Sequence, residues 1–436
     1  MVFEVDLTQQ PDSVAAETQT IQKTSIFKRL RNKIRIWQAN FEKKPFSHKI
    51  TLLFLSLSVT ALGSVALIYG FVLYTTPPHE PLDATYQLLE VQTQKQFSFS
   101  TDLPTPPSVK DKANPINGEL YTKEQYNKLL KRKPLLVIIE NHVDARPQAG
   151  LYNADLVYET LVESGITRFL AVFWGKGAKK VGPVRSLRTY YIDWSAEYDD
   201  PPIANIGQAG YEPLEEVIVP EADARSYIQK YNVKSFSWYG RNVYWRETDK
   251  VQQGIAWEHV AYSDTETLWE DAQSLGWVGP PSLTPLKFKK DTSKENRPLS
   301  QNIEITFLSL GAVTYKVEWK YNKDSNTYLR YLANAPHKDE NNGKQIKAKN
   351  VIIQYCNYHQ TGDKNGRILF DTIGSGTVKV FRDGKIIEGT WNKADRTSRT
   401  ILLDDSGKNI KLNRGQIWFE IVPVSGNNVL SDIVIS

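Results

Sequence analysis

Apolar positions along this chain gather into one long block near the N-terminus and into short runs beyond it. Ile50 to Tyr74 contains no charged residue. As a helix its roughly 25 positions span about 37 Å, enough to cross a hydrocarbon core with some tilt. Beyond residue 115 the pattern changes to runs of strand or helix length. Lys123 to Lys131, preceded by Thr122 with Glu124 in the first turn, predicts a helix. Leu135 to Ile139 and Phe169 to Trp174 are continuous apolar runs and predict buried strands. Ala154 to Val162 has helical periodicity, Leu187 to Tyr198 suits a helix, and Ile203 to Ile206 a further strand. These alternating signals predict an α/β domain over 116–278. Its strand directions stay open at this level.

From Gly276 to Leu299 the chain turns polar and rich in Pro and Lys, which sets a boundary. Beyond it, Val313 to Tyr321, Thr327 to Leu332, Asn350 to Tyr355, Thr377 to Arg382, Ile387 to Trp391, Thr400 to Leu403 and Ile417 to Val422 read as strands. Asp383-Gly384 is a hairpin signal between two of them. A mostly-β domain is therefore expected over 300–436.

Charge orients the apolar block. Lys23, Lys28, Arg29, Arg31, Lys33, Arg35, Lys43, Lys44 and Lys49 precede it, and no Lys or Arg follows until Lys95. The expectation is a cytoplasmic basic tail (1–49), one transmembrane helix (50–74) and a Pro-rich stalk (75–115) carrying both domains outside the cell. Phe27, Leu30, Ile34, Trp37 and Phe41 recur among the basic residues. They make either a basic amphipathic helix on the anionic inner leaflet or a topology signal alone. The net charge of +5 is concentrated in this tail, so no nucleic-acid partner is expected. The one cysteine, Cys356, lies in an apolar strand run; it is read as a buried core residue, and no Cys follows the apolar block to take a lipid.

Several motifs occur in order: Leu135 to Asn141, Ala145 to Leu151, Ala154 to Glu159, Gly165 to Phe173, and Gly182-Pro183-Val184-Arg185-Ser186-Leu187-Arg188. Together with Asn350 to Gln354, Gly374 to Trp391 and Gly415 to Trp418, they resemble the YerB-like family of bacterial envelope proteins, a domain of unknown function paired with a smaller C-terminal domain. The resemblance covers most of 105–425. It implies an outward-facing envelope protein, usually lipid-anchored, and no catalytic activity to carry over. This chain departs from it in having the apolar block in place of a lipid anchor, and around Trp257-Glu258-His259.

The candidate chemistry sits at Gly182 to Arg188. If the run after Gly182-Pro183 is helical, Arg185 and Arg188 share a face beside Ser186 and form an anion site for a phosphate or carboxylate. The competing reading pairs both arginines with carboxylates of the chain itself, such as Asp193 or Glu197. Glu140 and Asn141 end the first strand, where α/β sheets bind ligands; Glu140 reads equally well as an arginine partner. Arg168 opens its strand. In a parallel sheet it lies at the far end, paired with Asp155, Glu159 or Glu163; in an antiparallel one it joins the other arginines as a third cation.

The chain has no phosphate loop, no paired Cys and no His-Glu-x-x-His, and its six histidines are scattered. No metal and no cofactor are expected. Gly374-Ser375-Gly376 reads as a bulge or tight turn. The function expected is a membrane-anchored extracytoplasmic cell-envelope protein. It binds an anionic envelope ligand (a cell-wall polymer or lipid-linked precursor) or a wall-synthesis protein. The alternatives are an enzyme acting on a phosphorylated envelope substrate, with Glu140 or Asp155 as base or holding a divalent ion, and a scaffold that binds no ligand.

Overall fold

A computed structural model describes residues 109–210, 219–309 and 313–436; the expected transmembrane helix lies outside these residues. Among the described residues the first strand is Lys110–Ala113, ahead of the expected domain start at 116, because this segment pairs antiparallel with Leu120–Thr122. Helices α1 (Lys123–Leu129), α2 (Thr189–Ser195), α3 (Ala224–Tyr231), α4 (Thr248–Gln252) and α5 (Thr265–Ser274) all fall in the N-terminal part. The helix expected after Thr122 is α1, and Thr122 and Gln125 cap it reciprocally.

The strands that matter here are, in chain order, β1 (Leu135–Glu140), β2 (Leu156–Leu161), β3 (Thr167–Phe173), β4 (Ile203–Ala204), β5 (Asn302–Thr306), β6 (Val317–Asn322), β7 (Thr327–Leu332), β8 (Asn350–Gln360), β9 (Gly374–Arg382), β10 (Lys385–Lys393), β11 (Ile401–Asp404), β12 (Ile417–Ser425) and β13 (Asp432–Ile435). The N-terminal part is thus α/β and the C-terminal region mostly β. Strands of both regions run in one sheet, in the order β11-β10-β9-β8-β12-β2-β3-β1-β4. The junction is the parallel pairing of β12 with β2, Ile417 opposite Leu156 through Glu420 opposite Glu159. A second sheet, β7-β6-β5-β13, packs against it through the Trp319–Trp418 contact.

Ala154 to Val162 is a correction: it forms strand β2 and no helix. Every residue of β2 is buried, so its apolar positions do not alternate, and a short fully buried strand mimics helical spacing. β3 is antiparallel to both β1 and β2, which answers the question of strand direction.

One hydrophobic core serves both regions. Tyr158 of β2 stacks on Phe419 of β12 at 4.9 Å, and Trp418 meets Trp319 of β6 edge-on at 5.2 Å. Cys356 is buried in β8, and burial pushes its thiol up to about 12, so it is inert. The described residues belong to one compact unit.

Candidate functional site

The antiparallel register of β1 and β3 sets Glu140 directly opposite Arg168. The chain from Pro183 then runs alongside the end of β1. Glu140 N donates to Pro183 O at 2.9 Å, and Arg185 N donates to Ile138 O at 3.0 Å. This segment is extended, and α2 begins only at Thr189, with Arg188 as its N-cap. The helical reading of Arg185–Arg188 is therefore corrected: Pro183 to Arg188 is held by strand-like pairing, and the two arginines share no helix face.

The extended turn nevertheless brings Arg185, Ser186 and Arg188 to the edge where Arg168 starts β3. Arg168 Nη1 donates to Ser186 O at 3.0 Å, and Ser186 Oγ donates to Ile206 O at 3.0 Å. Arg188 grips Glu163 with two parallel bonds of 2.7 Å each. Arg185 Nε lies 3.0 Å from Glu140 Oε1, off the line of its N–H, and Arg185 Nη1 donates to Glu258 O at 3.4 Å. The carboxylate partners are Glu140 and Glu163. Asp193 accepts from Thr372, and Glu197 pairs with Lys393 and Arg399, far along the chain.

Arg168 differs from its neighbours. It is 5 % exposed and no carboxylate of the described residues comes within ion-pair distance; its Nε, like that of Arg185, has no hydrogen-bond partner. Burial lowers its pKa first, and the Arg188 charge lowers it further. A buried guanidinium beside two others, with two carboxylates already shared out, leaves one positive charge in excess. For Glu163, burial alone would raise the pKa; the Arg188 charge and its hydrogen bonds outweigh burial and hold the carboxyl at about 2.

Asn141 turns inward and away from this edge. Its amide donates to Thr167 Oγ1 at 2.7 Å and its oxygen accepts from Gln148 at 2.8 Å. These bonds continue into a buried network. Thr167 Oγ1 donates to Glu159, Arg330 bridges Glu159 and Glu420, and His337 links Arg330 to Gln148. Asp155 lies at the opposite end of the strands, about five residues or roughly 16 Å along β2 from Thr160, the partner of Arg168. Its carboxylate accepts from Asn114, Asn117, Trp174 N and Gly175 N, and burial raises its pKa to about 6.

The residue that sequence reasoning missed is His259. Its Nδ1 meets Glu140 Oε2 at 2.9 Å, and its ring stacks on His142 at 4.4 Å with planes 7° apart. More than a hundred positions separate it from Glu140, and no spacing rule links them; the departure noted at Trp257-Glu258-His259 was the one signal near it. Exposed Trp257, with Arg246 at 4.8 Å from its ring, forms the adjoining rim.

Residues 120–278 match the family model described as "Protein of unknown function (DUF3048) N-terminal domain", and residues 305–419 its C-terminal domain. The chain belongs to the DUF3048 family. A relative in it is "Putative lipoprotein YerB" of Bacillus subtilis (strain 168), 28% identical over 316 residues, which are 72% of this chain and 89% of the relative. The crystal structure of the YerB protein from Bacillus subtilis superposes with a TM-score of 0.60 at 26% identity, covering 74% of this chain and 100% of that one. The resemblance read from the motifs of β1, β2, β3 and the Gly182–Arg188 turn is thereby borne out. YerB is named a lipoprotein, whereas the single cysteine of this DUF3048 chain sits in the middle of β8. Among the described residues no helix is long and apolar enough to cross a membrane.

Proposed function

We propose that this DUF3048 protein binds an anionic group, a phosphate or a carboxylate, at Arg168, Arg185, Ser186 and Arg188, and does so on the outer side of a bacterial membrane. The observation that carries the reading is Arg168. An uncompensated buried guanidinium is costly, and an anion in reach of its unbonded Nε removes that cost with charge-assisted hydrogen bonds. Glu140 and Glu163 hold Arg185 and Arg188 in place from the protein side. What supports the location is the uncharged block Ile50 to Tyr74 with its basic N-terminal flank, and the lipoprotein name of the relative. A transmembrane segment here takes the place of a lipid anchor and holds the same folded region outside the cell. The ligand is read as part of an envelope component, such as a wall polymer or a lipid-linked precursor.

The test is thermal unfolding of the full chain in detergent with inorganic pyrophosphate. At a ligand concentration about 100 times Kd the expected stabilisation is about 2.7 kcal/mol. Arg185→Gln, at a partly exposed position, should weaken the response about tenfold, and Arg168→Gln should abolish it. A chain whose unfolding ignores pyrophosphate and citrate alike would remove the anion site.

A further inference from the structure

We infer that His142, Asp144 and His259 form a binding site for a divalent transition-metal ion of the zinc class. Ligand atoms from these three side chains fall within 4.8 Å of one another. His142 Nδ1 stands 3.6 Å from Asp144 Oδ2, a separation that suits two ligands on one ion, and it accepts from Asp144 N at 3.3 Å, a bond that a metal on Nδ1 replaces. Metal–ligand bonds of about 2.0–2.1 Å at tetrahedral angles put neighbouring ligand atoms about 3.4 Å apart, so an ion draws the group in by up to about 1.4 Å and turns the His142 ring out of its parallel stack on His259, because imidazole lone pairs lie in the ring plane. His142 and Asp144 lie in and beside the short turn Val143–Ala145 and are partly exposed, so they have room to make that movement.

A second observation, independent of this spacing, is the support behind His259. The Glu140 carboxylate, 3 % exposed, holds His259 Nδ1 at 2.9 Å. A carboxylate on one ring nitrogen fixes the tautomer and leaves Nε2 as the basic nitrogen, the outer-shell arrangement that metal-ligating histidines use. The other Glu140 oxygen faces Arg185 and so anchors this carboxylate from its far side. Two imidazoles and one carboxylate favour a borderline ion such as Zn²⁺ over Mg²⁺ or Ca²⁺, which take all-oxygen sets. Three protein ligands also leave a coordination position open to water or to an oxygen of a bound molecule. The absence of local metal-ligand spacing in the sequence is no obstacle, because the ligands converge from two distant loops.

The test is calorimetric titration of the full chain in detergent with Zn²⁺ in phosphate-free buffer. Absorption spectra with Co²⁺ report the coordination geometry. One equivalent of Zn²⁺ per chain is expected, lost in His142→Ala and Asp144→Asn. Glu140→Gln should bind about 10–100-fold more weakly. His142 and Asp144 are partly exposed, so circular dichroism of both variants should match the parent even if His259→Asn fails to fold. No uptake of Zn²⁺, or uptake unchanged in His142→Ala, overturns the site. The titration contains no anionic ligand, so its failure leaves the arginine reading standing, and the pyrophosphate experiment fails or succeeds without zinc.

Discussion

Arg168 and Glu163 show how differently two buried charges are treated at one edge of the sheet. Glu163 receives two bonds from Arg188 and stays ionised to about pH 2, against an ordinary value of 4.5. Because its folded pKa is depressed, its contribution is present above pH 4.5 and is lost as the pH falls from there toward 2. The shift corresponds to an upper limit of roughly 3 kcal/mol. Glu163→Gln should therefore flatten the loss of stability across that window, read as unfolding midpoint against pH. A parent curve that is already flat between pH 4.5 and 2 contradicts the pairing. Arg168 has no such partner among the described residues, which is why it points to a ligand.

At the scale of elements, local chemistry and packing agree in the C-terminal region. Asp383 and Gly384 both have positive φ (53° and 69°), and Arg382 pairs with Lys385, the two-residue hairpin that the dipeptide predicts. A Cβ on Gly384 would stand 2.5 Å from Tyr321 Cε1 and 2.7 Å from Pro298 Cγ. Gly384→Ala should cost about 2 kcal/mol by combined strain and overlap, measured by thermal unfolding. Gly376 acts by close approach instead. It lets Trp391 lie across β9 and donate to Tyr355 O at 2.8 Å, so the expected bulge or turn at Gly374-Ser375-Gly376 is the start of a strand. In the N-terminal part the element types of β1, β3 and α2 were legible from their apolar runs. β2 and the Arg185–Arg188 segment were not, since burial on both faces erases period two, and pairing with β1 overrides helical preference.

For the molecule as a whole, the two regions are joined by charge as well as by core. Arg330 of β7 reaches Glu159 of β2 and Glu420 of β12, and all three side chains are fully buried. Burial raises the Glu420 pKa well above its ordinary value, and the Glu159 charge raises it further. Glu420→Gln should then change stability at pH 7 by less than about 1 kcal/mol, whereas Arg330→Met strands a buried charge and should cost about 3–5 kcal/mol. Equal losses in thermal unfolding of the two variants would mean that Glu420 is ionised. The sequence by itself determined the apolar block with its basic flank, most strands and the family, because hydropathy, turn chemistry and motif order are local properties. The gathering of Glu140, Arg168, Arg185 and His259, and the sharing of one sheet by both regions, were decided only in three dimensions. Strand direction and register set which distant side chains meet, and no local pattern encodes either.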